Sequence, residues 1–164
     1  MKRLSIITHL AIALFLSACD KNDTADSNGN SSGSSQADGA RQEEIANQIM
    51  DSMGEFAQAI SVISDTKTAR STATKINEIG DQFSSMAKEL EPLEVASQEM
   101  RESIHQKMVV REAEIEEVMN EKFMKSVQSL NPEAQKIIQK AFQDFFEVRQ
   151  QTRKEFDRHF KVKN

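Results

Sequence analysis

The sequence predicts an all-α protein: elongated antiparallel helical hairpins or a four-helix bundle, following a disordered linker. Three observations carry this. Large apolar residues after position 41 recur in steps of three and four, as they do along one face of a helix. The 164-residue chain holds two prolines and five glycines, so few helix breakers interrupt those runs. Residues 20–40, by contrast, read DKNDTADSNGNSSGSSQADGA, with no large apolar side chain.

The first helix is expected from about Arg41, with Ile45, Ile49, Met53, Phe56, Ile60 and Ile63 along one face. Ser64-Asp65-Thr66 breaks it, because short polar side chains cap the next helix N-terminus. The second helix carries Ala69, Ala73, Ile76, Ile79, Phe83, Met86 and Leu90. Pro92 ends it, since the residue before a proline is driven out of the α region. The third is expected from about Leu93 to Ser129, with Met100, Ile104, Met108, Ile115, Val118, Met119, Phe123 and Val127 as its apolar positions and a bend near Val109-Val110-Arg111. Asn131-Pro132-Glu133 opens the fourth: Asn caps, Pro suits the first turn, and Glu complements the helix dipole. That helix carries Ile138, Ala141, Phe142, Phe145, Phe146, Phe156 and Phe160. Short breaks between helices favour antiparallel neighbours. A pair of hairpins that completes its core by dimerising is the alternative.

The N-terminus points to where the protein sits. Lys2 and Arg3 precede an apolar run from Leu4 to Leu16, then Leu16-Ser17-Ala18-Cys19. A basic start, a short apolar core and small residues before a cleavage point form a secretory signal peptide. The run is shorter than the ~20 residues of a spanning helix. Cys19 is the only cysteine. The four residues resemble the lipobox of bacterial lipoproteins. The resemblance implies diacylglyceryl attachment to the Cys19 sulfur, cleavage before it and acylation of its new amine. It also implies a lipid-anchored protein of the bacterial envelope facing the periplasm. Asp20 resembles the signal that retains such proteins in the inner membrane, and Lys21 modulates that sorting; inner and outer membrane both remain open. The expected organisation is a signal peptide over 1–18, lipidated Cys and flexible linker over 19–40, and a helical domain over 41–164. A linker without apolar side chains cannot offset its ordering entropy. It spans about 25 Å as a flexible coil.

Composition excludes some classes. The chain has 21 Lys+Arg and 26 Asp+Glu; cleavage removes Lys2 and Arg3 and no acid, leaving 19 against 26, a net charge of −7. That disfavours nucleic acid as a partner, which calls for a basic face. With Cys19 acylated, no disulfide forms within one chain and no cysteine nucleophile remains. There is no Trp and no Tyr. No phosphate-loop or His-Glu-x-x-His pattern occurs. The chain is therefore expected not to be an enzyme, and no cofactor beyond the covalent lipid on Cys19 is expected.

Four constellations remain. Glu102-Ser103-Ile104-His105 has the Glu-x-x-His spacing that di-iron bundles use, though those need two such motifs and further carboxylates. Glu155 and His159 lie four apart and offer a weak surface pair. Glu112, Glu114, Glu116, Glu117 and Glu121 crowd the third helix as a solvated face or an acidic docking face. At the C-terminus Arg149, Arg153, Lys154, Arg158, Lys161 and Lys163 face only Glu155 and Asp157. With Phe156 and Phe160, residues Arg149, Arg153 and Arg158 form a possible contact surface for an anionic membrane or an acidic partner. The ordinary alternative is packing of the Phe residues and dipole complementation by the cations. The leading expectation is a membrane-tethered, non-enzymatic helical module that binds an envelope protein or serves as an accessory subunit. A metal or small-ligand carrier and a self-associating structural spacer are the alternatives.

Overall fold

The computed structural model describes residues 36–118 and 129–162, all in helices and short connections without a strand among them. The helices are α1 (Gln36–Ser61), α2 (Thr66–Leu90), α3 (Gln98–Val118) and α4 (Pro132–Phe160). They pack as a bundle. The expected signal peptide, lipobox and most of the linker lie outside the described residues, as do Met119, Phe123 and Val127.

Apolar spacing set the faces. Ile45, Ile49, Met53, Phe56 and Ile60 of α1 are buried with Ile76, Ile79, Phe83, Met86 and Leu90 of α2. Ile104 and Ile115 of α3 join them, with Ile138, Ala141, Phe142 and Phe145 of α4, in one continuous core. Its centre is a chain of rings. Phe142 and Phe145 lie 5.6 and 5.1 Å from Phe56, and Phe83 lies 5.5 Å from Phe145 and 5.7 Å from Phe156, edge to face. Tilted and edge-on pairs at these spacings suit the ring quadrupole.

Cross-helix pairs fix the directions. Lys75 reaches Glu55 at 2.8 Å, and Arg41 pairs with Glu89, so α1 and α2 are antiparallel. Lys107 reaches Glu43 at 2.7 Å, and the Arg111 guanidinium lies over Gly54, so α3 rises beside α1. Arg70 pairs with Glu133 at 2.8 Å near the starts of α2 and α4, and Arg158 reaches the backbone just past the end of α2. Consecutive helices thus alternate in direction, as expected. The most extensive pairing, however, is between the two parallel helices α2 and α4. Small residues permit it: Gly80 faces Phe145 and Val148, and a Cβ there would sit 3.7 Å from both. These surface ion pairs add little energy each and mainly record register.

Three boundaries depart from the sequence reading. Helix α1 begins at Gln36, not Arg41, so residues 36–40 are helix rather than linker. Ala37 and Ala40 favour helix, Asp38 suits the N-terminal dipole, and Gly39 packs as a buried residue. Helix α3 begins at Gln98, not Leu93. After Pro92 the chain makes a turn, closed by Leu93 N–H to the Leu90 carbonyl at 3.0 Å, and Ser97 then caps α3 by accepting the Met100 amide at 3.2 Å. Helix α3 also continues through Val109-Val110-Arg111 without interruption.

The caps behave as their residues dictate. Asp65 accepts the Thr68 amide at 2.8 Å while the Thr68 hydroxyl receives the Asp65 amide at 2.9 Å, a reciprocal capping box. The donated amide holds the Asp65 carboxyl below the usual carboxylate range. Asn131 accepts the Ala134 amide at 2.9 Å, with Pro132 in the first turn. Asp65→Ala is expected to cost about 1 kcal/mol, read as a lowered midpoint in urea unfolding.

Candidate functional site

Of the buried polar residues, Ser52 and Thr72 lie farther along α1 and α2, while Gln42, Arg101 and His159 gather at one end of the bundle. There α1 begins, α2 stops, α3 starts and α4 finishes. Gln42 on the second turn of α1 and His159 on the last turn of α4 are both fully buried. The Gln42 amide nitrogen lies 3.1 Å from His159 Nδ1 and also donates to the Glu94 carbonyl, in the connection between α2 and α3. Next to His159, Arg158 donates to the carbonyls of Glu91 at 3.2 Å and Leu93 at 3.3 Å. Its guanidinium also reaches Glu155 at 3.2 Å. Two side chains from opposite termini of the domain therefore hold three backbone carbonyls of one connection, those of Glu91, Leu93 and Glu94.

Three buried polar atoms at this end make no hydrogen bond among the described residues: Gln42 Oε1, Arg101 Nε and His159 Nε2. Arg101, on the first turn of α3, is nearly buried and bonds Gln98 at 3.1 Å. Burial pushes the His159 imidazole below its ordinary value, and the neighbouring Arg158 cation acts in the same direction. Glu155 and the Leu90 backbone oppose this.

The sequence-predicted residues fall differently. Cys19, Asp20 and Lys21 lie outside the described residues. Glu102 is exposed and accepts Gln98 Nε2 at 2.8 Å, while His105 is half-buried. No third ligand joins them: among the described residues no group of three or more His, Cys, Asp or Glu could hold a metal ion. Glu155 and His159 do not form the expected surface pair, because His159 turns inward to Gln42. The side chains of Glu112, Glu114, Glu116, Glu117 and Glu121 are not among those described.

The C-terminal contact surface is corrected. Phe160 is 6% exposed and belongs to the core. Phe156 is half-buried and packs edge-on against Phe83. Arg153 pairs with Asp157 at 3.3 Å, Arg158 is spent on backbone carbonyls, and Arg149 is half-buried and already engaged. Apolar residues so close to the chain end still point inward because α4 runs the full length of the core, about 44 Å for its 29 residues. Among the described residues the large apolar side chains that face solvent are Val62, Val95, Val109 and Val110.

Sequence reasoning missed the Gln42–His159 pair. A signal for it existed: Gln42 precedes Ile45, Ala46 and Ile49 by three, four and seven residues, and His159 follows Phe156 and Thr152 at the same spacing. Among the described helices none is long and apolar enough to cross a membrane. Comparison with protein-family models, curated proteins and solved structures finds no match for this chain.

Proposed function

We propose that this chain is a lipid-anchored protein of the bacterial envelope, facing the periplasm, whose helical domain is a non-enzymatic binding or accessory module. The observation that carries the reading is Leu16-Ser17-Ala18-Cys19, placed after a basic start and a short apolar run. The Cys19 thiol takes the lipid, and the residues between it and α1 form the tether. Asp20 slightly favours the inner over the outer membrane for that anchor. The accessory reading draws support from how the described polar groups are used. At the enclosed end Arg158 holds backbone carbonyls and His159 meets the Gln42 side chain, so both serve packing rather than a reactive cluster. A second reading, self-association as an envelope spacer, draws on the adjacent exposed Val109 and Val110 of α3.

Cys19→Ser tests the anchor. In a bacterial host fed labelled palmitate, the wild type is expected to take up label, to be cleaved and to sediment with membranes. The variant is expected to stay unlabelled and uncleaved. Equal labelling of both would remove the anchor from the proposal. Crosslinking in the host then separates the binding module from the spacer: a foreign protein supports the first, and only copies of this chain support the second.

A further inference from the structure

Hydrogen-bond chemistry assigns the protonation state of His159. The Gln42 group that faces the Glu94 carbonyl must be its NH2, because a carbonyl accepts and cannot donate. The same nitrogen faces His159 Nδ1 at 3.1 Å, so Nδ1 is the accepting nitrogen. The imidazole is then neutral and carries its proton on Nε2, an assignment made from the network.

The connection between α2 and α3 depends on this arrangement. Its carbonyls at Glu91 and Leu93 are held by Arg158, and that at Glu94 by Gln42. Gln42 in turn is braced by the accepting nitrogen of His159, 117 positions away in sequence.

We propose that His159 is the acid-sensitive pin of a clasp. A proton taken from solvent onto Nδ1 leaves imidazolium and amide as donor facing donor, so Gln42 is displaced from Glu94. Residues 91–97 then come away from the end of the bundle from which residues 1–35 depart. An isosteric core needs no such pair: two apolar side chains would fill the same space without leaving buried polar atoms unmatched.

The charged surroundings set the direction. On α4, Arg158 opposes protonation of His159 and Glu155 favours it. On α1, Arg41 beside Gln42 is paired with Glu44 and Glu89, the latter on α2. On α2 the Leu90 backbone favours protonation. The connection brings the exposed Glu91 and Glu94, and α3 brings the buried Arg101. Burial outweighs the favourable groups, and the folded value lies below the ordinary one. The clasp is therefore fully closed above about pH 6.5, the ordinary value, and weakens as pH falls from there through the lowered value of the closed form. Below that value the weakening is complete.

The test uses the full-length protein in detergent micelles, with imidazole NMR titration and amide hydrogen exchange between pH 7.5 and 5. Protection of the amides in 90–101, corrected for intrinsic exchange, is expected to fall about tenfold for each pH unit by which His159 is lowered. Protection near Thr66 and Asn131, at the opposite end, is expected to hold. His159→Gln keeps an acceptor for Gln42 but removes the titration, and protection should then be flat with pH. Gln42→Glu supplies a counter-charge but no donor for the Glu94 carbonyl, so His159 should titrate higher and protection of 90–101 should be low at every pH, without an acid release. Wild-type protection that stays flat while His159 titrates would overturn the clasp. So would a fall of equal size along the whole bundle, or an acid response that survives in either variant.

Discussion

Phe145→Ala is expected to lower the stability of the domain by about 3–5 kcal/mol, a large part of the roughly 5–15 kcal/mol that holds a small domain together. Phe145 is 4% exposed. Its ring lies 5.1 Å from Phe56 of α1 and 5.5 Å from Phe83 of α2, so it is the junction of three helices. Its edge also packs against Gly80 of α2, where a Cβ would lie 3.7 Å from the ring. Truncation removes the transfer energy of the ring, leaves a cavity among side chains anchored on separate helices, and undoes two ring pairs. The neighbouring Phe146 is only half-buried and provides the comparison. Urea unfolding of the two alanine variants should show a clearly larger fall in midpoint for Phe145→Ala. Equal small changes would mean that the ring cluster is not the centre of the core.

Phe160→Ala is expected to cost about 3 kcal/mol, although Phe160 is the last residue of α4. From the sequence, a residue at a fraying end should matter little. The structure reverses that expectation. Phe160 is 6% exposed, sits 6.3 Å ring to ring from His159, and precedes a closed helix end in which the Lys161 amide bonds the Asp157 carbonyl at 3.1 Å. Its removal opens a cavity beside the Gln42–His159 pair, where water would compete for both polar groups. Thermal melts should place Phe160→Ala near Phe145→Ala rather than near the wild type. A melt unchanged from the wild type would return Phe160 to the surface.

The same two residues mark what was legible. The steps of three and four identified Phe145 as a core residue, and they identified Ile45, Ile49, Phe56, Ile76, Ile79, Phe83 and Ile138 as well, all of them buried. Periodicity is a local property, and a chain that buries one face of each helix must repeat it. The capping residues Asp65 and Asn131 were legible for the same reason, since a cap acts within one turn. The start of α1 was not. Asp38-Gly39 reads as linker until Gly39 is packed against the rest of the bundle.

The sequence by itself determined four helical segments and most of the apolar residues they bury, and it carries the expectation of a tether at Cys19. Only the tertiary structure decided that parallel α2 and α4 form the closest pair, that Phe156 and Phe160 turn inward, and that His159 meets Gln42. The physical reason is distance along the chain. Spacing states which side chains share a face, and that follows from the geometry of one helix. It does not state which other helix that face will meet. The fate of a polar side chain such as His159 depends on a partner 117 positions away in sequence.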